Sequence, residues 1–352
     1  MRIKIMKKHL AICGILILAA VVTTLADWPQ YLGPNRNATS QETGLSRSWP
    51  KNGPKVFWTF PLGQGWAGAS VSDGKVYVLD RVGGKQDVLR CIDLANGKEE
   101  WNFAYNAPGT IGEPGSRIVP AIDGNYVYTC GCLGHVHCVD KRTHRAVWKK
   151  NIWKDFGGGN RLPTWGITQN PLIYGNMLIL AAQTPKAGVV AYDKTTGAVR
   201  WTSQPLPGGP GYVSPKIVKI GGDDHLVMIS AKSRQRRRRQ QPERPGDNRQ
   251  SPGLEETRQP EREDQSAAEA PAEKSARRPG MGAVVGIDPK TGQVLWTYYG
   301  WQCTIPIPNV TEIGDSRLFI TGGYRAGSAM IKVQKKPGGF VVEEIYKTQA
   351  FG

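Results

Sequence analysis

Cys130, Cys132, His135, His137 and Cys138 place five soft ligands within nine residues, a density that would suit zinc or copper. His135 and His137 alternate onto one face of a predicted strand and could meet Cys132 across a turn, so Cys132, His135 and His137 form the candidate metal set. A plainer reading comes from aligning the chain on itself. Cys138 then shares a slot with Cys91, Ala191 and Gly286, and Cys130 shares one with Ala181, Ser230 and Gly322. Small buried strand residues account for both sets, and no metal is expected. No Ser/His/Asp or paired-carboxylate spacing suggests hydrolysis, and no Cys-x-x-Cys-His would attach a haem. Arg234 and Arg236 to Arg239 could attract lipid, wall polymer or nucleic acid, but no aromatic residue lies nearby to stack a base. No specific nucleic acid is therefore expected.

The elements that must position any site come from a repeat. Asp93, Asp140, Asp193 and Asp288 each open a turn that leads to Trp101, Trp148, Trp201 and Trp296, always eight residues on. An Asp that caps backbone N–H groups ahead of an Asn-Gly or Thr-Gly pair reverses the chain as a hairpin. His144 replaces the glycine in the second copy, which predicts a slightly different or strained turn. A strand–turn–strand element precedes each copy, as in Val71-Ser72-Asp73-Gly74-Lys75-Val76 and Ala121-Ile122-Asp123-Gly124-Asn125-Tyr126. Four antiparallel strands per unit is the content of one propeller blade, and five such units run from Leu62 onward. Residues just before the inner strands would line the channel mouth, which nominates Trp66, Arg117, Trp165, Asn170 and Tyr212 for binding.

Composition fits this all-β reading. The 352 residues include 43 Gly and 11 Trp, which disfavours a helical bundle. Arg2, Lys4, Lys7 and Lys8 precede an apolar run from Leu10 to Val22 and small residues before Asp27, the pattern of a secretory signal over 1–26. The run is short of the ~20 residues that span a bilayer, so an exported chain, periplasmic or extracellular and not membrane-spanning after cleavage, is expected. Residues 232–279 hold one large aliphatic and no aromatic, predicting a disordered charged insert inside the fourth blade. The signal and the insert each carry +4 of the net +17, so the remainder is only moderately basic. Five cysteines persist after residue 26, an odd number that cannot all pair within one chain.

Asp-x-x-Thr-Gly-x-x-x-Trp closing a four-stranded repeat resembles the quinoprotein-type repeat of pyrroloquinoline quinone (PQQ) enzymes and of outer-membrane assembly factors of the BamB type. Trp28-Pro29-Gln30-Tyr31-Leu32-Gly33-Pro34-Asn35-Arg36 resembles the leader (27–53) of secreted PQQ-like propellers. The resemblance implies a propeller over 54–352 with about eight blades in the family, so that further repeats would follow residue 352. It implies that Trp101, Trp148, Trp201 and Trp296 dock blade on blade. For a dehydrogenase it would imply PQQ beneath a vicinal Cys-Cys ring, with Ca²⁺ held by Glu, Asn and Asp. No Cys-Cys pair exists, and Cys130-Gly131-Cys132 is predicted in a hairpin away from the cofactor channel. The expected function is therefore a binding or assembly scaffold with an envelope protein, small-molecule or polymer ligand and no cofactor. A PQQ- and Ca²⁺-dependent alcohol or sugar dehydrogenase is the alternative, and an envelope polymer binder using the arginine run is a third reading.

Overall fold

The computed structural model describes residues 27–233 and 280–350. The predicted signal (1–26) and nearly all of the predicted insert (234–279) lie outside the described residues.

The described residues form a β-propeller fold with five four-stranded antiparallel blades among them. Blade 1 is β1 (Ser70–Ser72), β2 (Lys75–Val82), β3 (Gln86–Asp93) and β4 (Glu99–Asn106); blade 2 is β5 (Ala121–Asp123), β6 (Tyr126–Cys130), β7 (His135–Asp140) and β8 (Arg145–Asn151). Blade 3 is β9 (Leu172–Tyr174), β10 (Met177–Ala181), β11 (Val189–Asp193) and β12 (Val199–Thr202); blade 4 is β13 (Lys216–Ile220), β14 (Asp223–Ile229), β15 (Val284–Ile287) and β16 (Val294–Tyr298). Blade 5 is β17 (Thr311–Gly314), β18 (Arg317–Gly322), β19 (Gly327–Lys336) and β20 (Gly339–Thr348). Most of the buried apolar residues lie on the second and third strands of the blades, which pack on their neighbours, although β2 also carries the buried Asp80 and Arg81. β11 is buried throughout, while the outer β8 is largely exposed.

The Asp turns form the joints between blades. Gly97, Gly197 and Gly292 have positive φ and each lies under an indole of the preceding unit: Trp58, Trp148 and Trp201. A Cβ at any of the three would stand within 2.7 Å of that ring, so only glycine fits. The same indoles donate Nε1–H to backbone carbonyls in the turn, at 2.8 Å to Leu94, 3.0 Å to Lys194 and 3.2 Å to Pro289. At His144 the turn keeps the shape of the other copies, and of the two expectations it is the strained one that holds, since a non-glycine residue takes positive φ. It sits at φ 57° and keeps the same hydrogen bond, N to Asp140 O at 2.9 Å, that Gly97 and Gly197 make. Its imidazole stacks on Trp101 at 4.6 Å, so this joint uses ring on ring where the others use ring on glycine. Trp296 departs from the pattern: it overlies Gly286 of its own blade and donates to His225 Nδ1 at 3.0 Å, inside the core shared by blades 4 and 5.

Strand pairing corrects one alignment. Cys138, Cys91, Ala191 and Gly286 do pair with the four repeat tryptophans. Cys130, however, is level with Ile229 and Thr321, one residue earlier than Ser230 and Gly322, because the registers of β14 and β18 place Val227 and Phe319 opposite the small slot.

The leader runs along the inner strands. Trp28 pairs with Val71 in both directions at 2.8 and 3.0 Å, and Pro29 O accepts Ile122 N at 2.8 Å. Arg36, 7% exposed, then donates to Pro171 O and Pro215 O, both at 2.9 Å, so the segment crosses from blade 1 to blades 3 and 4.

Candidate functional site

Antiparallel order sends every outer-to-inner connection, and every hairpin between second and third strands, to one end of the propeller. The Asp turns occupy the other end. A cavity of about 590 Å³ opens at the first end, and Trp66, Arg117, Trp165, Asn170 and Tyr212 all stand in its wall. The segments leading into blades 1 to 4 supply them, so residues 66 and 212, far apart in sequence, face one space.

Each side chain is held differently. Trp66 is 69% exposed, and its Nε1 donates to Pro114 O at 3.2 Å, which fixes the ring in the cavity rim. The Arg117 guanidinium carbon lies 6.0 Å from the Trp66 ring centroid, a cation–π distance, and one terminal nitrogen donates to Glu113 O at 2.5 Å. Arg117 Nε is buried with no partner. Burial holds the guanidinium below its usual range, against the opposing pull of Cys132, Glu113 and Tyr212. Trp165 meets Tyr212 edge to face at 5.1 Å. Asn170 has a structural position: Oδ1 accepts Val119 N at 2.6 Å and Nδ2 donates to Ser214 Oγ at 3.0 Å, tying three inner-strand starts together.

Glu113, Tyr31, Thr168, Ser214, Ile307 and Tyr324 complete the wall and were not singled out from the sequence. Tyr324 and Arg325 both have positive φ in the hairpin between β18 and β19, where Gly323 gave a turn signal but no clue to direction. Tyr31 gave none, because it reaches the cavity only through the leader's long-range path.

The hairpin 131–134 is at the same end of the propeller as the cavity but outside its wall. Cys132 O accepts Ile167 N at 2.8 Å, one residue before Thr168 of the wall. The candidate metal residues are apportioned to packing. His137 lies 4.0 Å from Tyr105 and 5.4 Å from Phe103, ring to ring; His135 lies 5.8 Å from Tyr105. Cys132 packs with Ala107 and Leu133, and burial raises its thiol to about 11. Among the described residues, no three His, Cys, Asp or Glu side chains converge to hold a metal. The residues present do not fit the ligand set that a quinone enzyme would require: the cavity wall offers one carboxylate, Glu113, and the Asn170 amide is engaged between blades.

Burial also lowers the His137 pKa to about 4, with His135 and Lys149 adding to the shift. The unfolded chain takes up a proton near pH 6.5, whereas the folded chain does not until about pH 4. Stability is therefore lost as pH falls through this window and is unaffected above pH 7. His137→Phe is expected to reduce the loss between pH 7 and 5 by about 2 kcal/mol. Urea titrations at the two pH values check this; His135 and His225, lowered in the same direction, leave a residual slope.

Residues 84–236 match the family model described as outer membrane protein assembly factor BamB. No curated protein matches the sequence. Among solved structures, the chain is similar to quinohemoprotein alcohol dehydrogenase from Comamonas testosteroni, at 16% identity and TM-score 0.54, covering 92% of this chain and 48% of that one. It is also similar to BamB from Moraxella catarrhalis, at 18% identity and TM-score 0.48, covering 81% and 63%. The chain thus spans about half to five-eighths of the length of these structures.

Proposed function

Because the chain is built of PQQ-like β-propeller repeats, we propose that it is an exported binding or assembly scaffold of the cell envelope with no catalysis of its own. The observation that carries this reading is the composition of the cavity wall. Fixed aromatic rings and a guanidinium that makes no salt bridge among the described residues suit recognition, and among the described residues the wall has no histidine or cysteine to act as base or nucleophile. The BamB description of the matching repeats supports an envelope protein as a partner, alongside a small-molecule or polymer ligand. Export rests on the basic and apolar pattern of residues 1–26. Among the described residues, no helix is long and apolar enough to cross a membrane.

Two measurements test the reading. Reconstitution with PQQ and Ca²⁺ is expected to give no alcohol- or sugar-dependent dye reduction, and turnover would replace the scaffold by the dehydrogenase alternative. A photo-crosslinking residue in place of Tyr324, which is 67% exposed at the cavity end, should capture a discrete envelope component. The same residue in place of exposed Lys98, in an Asp turn at the other end, should not. Equal capture from both ends would remove the cavity from the function.

A further inference from the structure

We infer that the cavity takes an acidic saccharide, with its carboxylate on Arg117 and a pyranose face on Trp66. The inference rests on the binding reading above and names its ligand class.

Arg117 supplies the anion requirement. A guanidinium presents five N–H donors in a planar fork. Here one is satisfied by Glu113 O, Nε is buried without a partner, and no ion pair reaches it among the described residues. A half-buried cation in this state gains most from a planar anion that accepts two parallel hydrogen bonds, which is the shape of a carboxylate. Among the described residues, Arg81 has Asp87 and three carbonyls for its terminal nitrogens, and Arg36, whose Nε is also buried without a partner, has two carbonyls and Gln30 for its own, so Arg117 differs in having terminal donors left for a ligand.

The rings supply the second half. Trp66 is pinned by its indole hydrogen bond yet leaves most of its surface open, so it is a preformed platform at little entropic cost. The guanidinium carbon lies 6.0 Å from the indole centroid, close enough for one small ligand to touch both groups at once. An aromatic acid would satisfy those two groups alone. Around them the wall also presents the Glu113 carboxylate and the Tyr324 hydroxyl, neither of which has a hydrogen-bond partner from its side chain among the described residues, and sugar hydroxyls can donate to both. A volume of about 590 Å³ lies in the range of small-molecule sites and admits more than one ring.

The test is a titration of the full chain with tri-galacturonate, read by tryptophan emission and by calorimetry. Saturable binding is expected, weakening as salt rises from 0.1 to 0.5 M at roughly the screening expected for one partly buried ion pair. Maltotriose, of equal length and uncharged, should bind at least about ten-fold more weakly. Arg117→Gln should cost about ten- to a hundred-fold, and Arg117→Lys less, since charge persists without the fork. Trp66→Ala should weaken binding with an unchanged melting temperature, because the ring is mostly in water; this variant guards against a fold defect in the arginine variants. Equal affinity for maltotriose, or unchanged affinity in Arg117→Gln, overturns the proposal. So does the absence of binding. If PQQ without metal saturates the emission change while tri-galacturonate does not, the ligand class is wrong. The scaffold reading then stands or falls separately on dye reduction.

Discussion

Arg81→Met is expected to destabilise the protein by about 3–5 kcal/mol, the cost of stranding one member of a buried ion pair. The Arg81 side chain is 3% exposed and that of Asp87 is 1%, with Nη1 to Oδ1 at 2.6 Å. Nη2 donates to Gly84 O, Ala107 O and Gly109 O at 3.1, 3.0 and 2.8 Å. The side chain therefore joins the β2–β3 hairpin to the start of the connection 107–120, which carries Glu113 and Arg117. Removing it leaves a buried carboxylate without its cation, and three carbonyls to find water. The double variant Arg81→Met/Asp87→Leu should recover a large part of the loss, because two apolar groups replace two desolvated charges. Urea midpoints of the three variants check this. A midpoint for Arg81→Met within error of the parent would show that water reaches the pair. Saccharide affinity should fall in the single variant as well, since the loop that holds Arg117 loses its anchor.

The blades could be read because each is built from local rules. Asp and Gly at fixed offsets specify a hairpin, and Trp eight residues after the Asp specifies the strand that carries the joint. These are contacts within one repeat or between neighbours, so a periodic sequence exposes them. Trp58 belongs to the same series although no Asp turn precedes it, and its seat on Gly97 is what Trp148 and Trp201 do on Gly197 and Gly292. Trp296 escaped the rule because the adjoining blade 5 lacks an Asp-Thr-Gly turn; its indole finds His225 instead. The cavity residues could be nominated by place, just before inner strands, but their duties could not. Asn170 and Trp165 look alike as candidates, yet Asn170 spends its amide between blades while Trp165 meets Tyr212 across the wall. Counting strands alternately up and down from Leu62 places hairpin 131–134 at the cavity's end of the propeller, though not in its wall.

The leader is the least periodic part of the described chain and the one whose path depends most on distant partners. Arg36 contacts Pro171 and Pro215 at sequence separations of 135 and 179. Burial lowers its pKa to about 10, still far above neutrality, so it is a buried cation held by carbonyl dipoles and not by a carboxylate. Both carbonyls sit immediately before inner strands, at the level of the cavity wall, and Tyr31 of the same segment belongs to that wall. Arg36→Met preserves the stem's volume but leaves two buried carbonyls without donors, each worth about 1–3 kcal/mol. Its effect should be local. Blade cores do not depend on Arg36, whereas residues 39–53 are exposed almost throughout and have little else to retain them. The expected result is a leader that opens in hydrogen exchange and is cut by trypsin at Arg47 or Lys51 well before the blades, with the main melting transition little changed. Because release takes Tyr31 out of the wall, ligand affinity should fall in parallel with the exchange rate of Trp28 N–H, which is bonded to Val71 O. Exchange at Trp28 unchanged in Arg36→Met would show that pairing with β1 holds the leader alone and that the arginine only fills space.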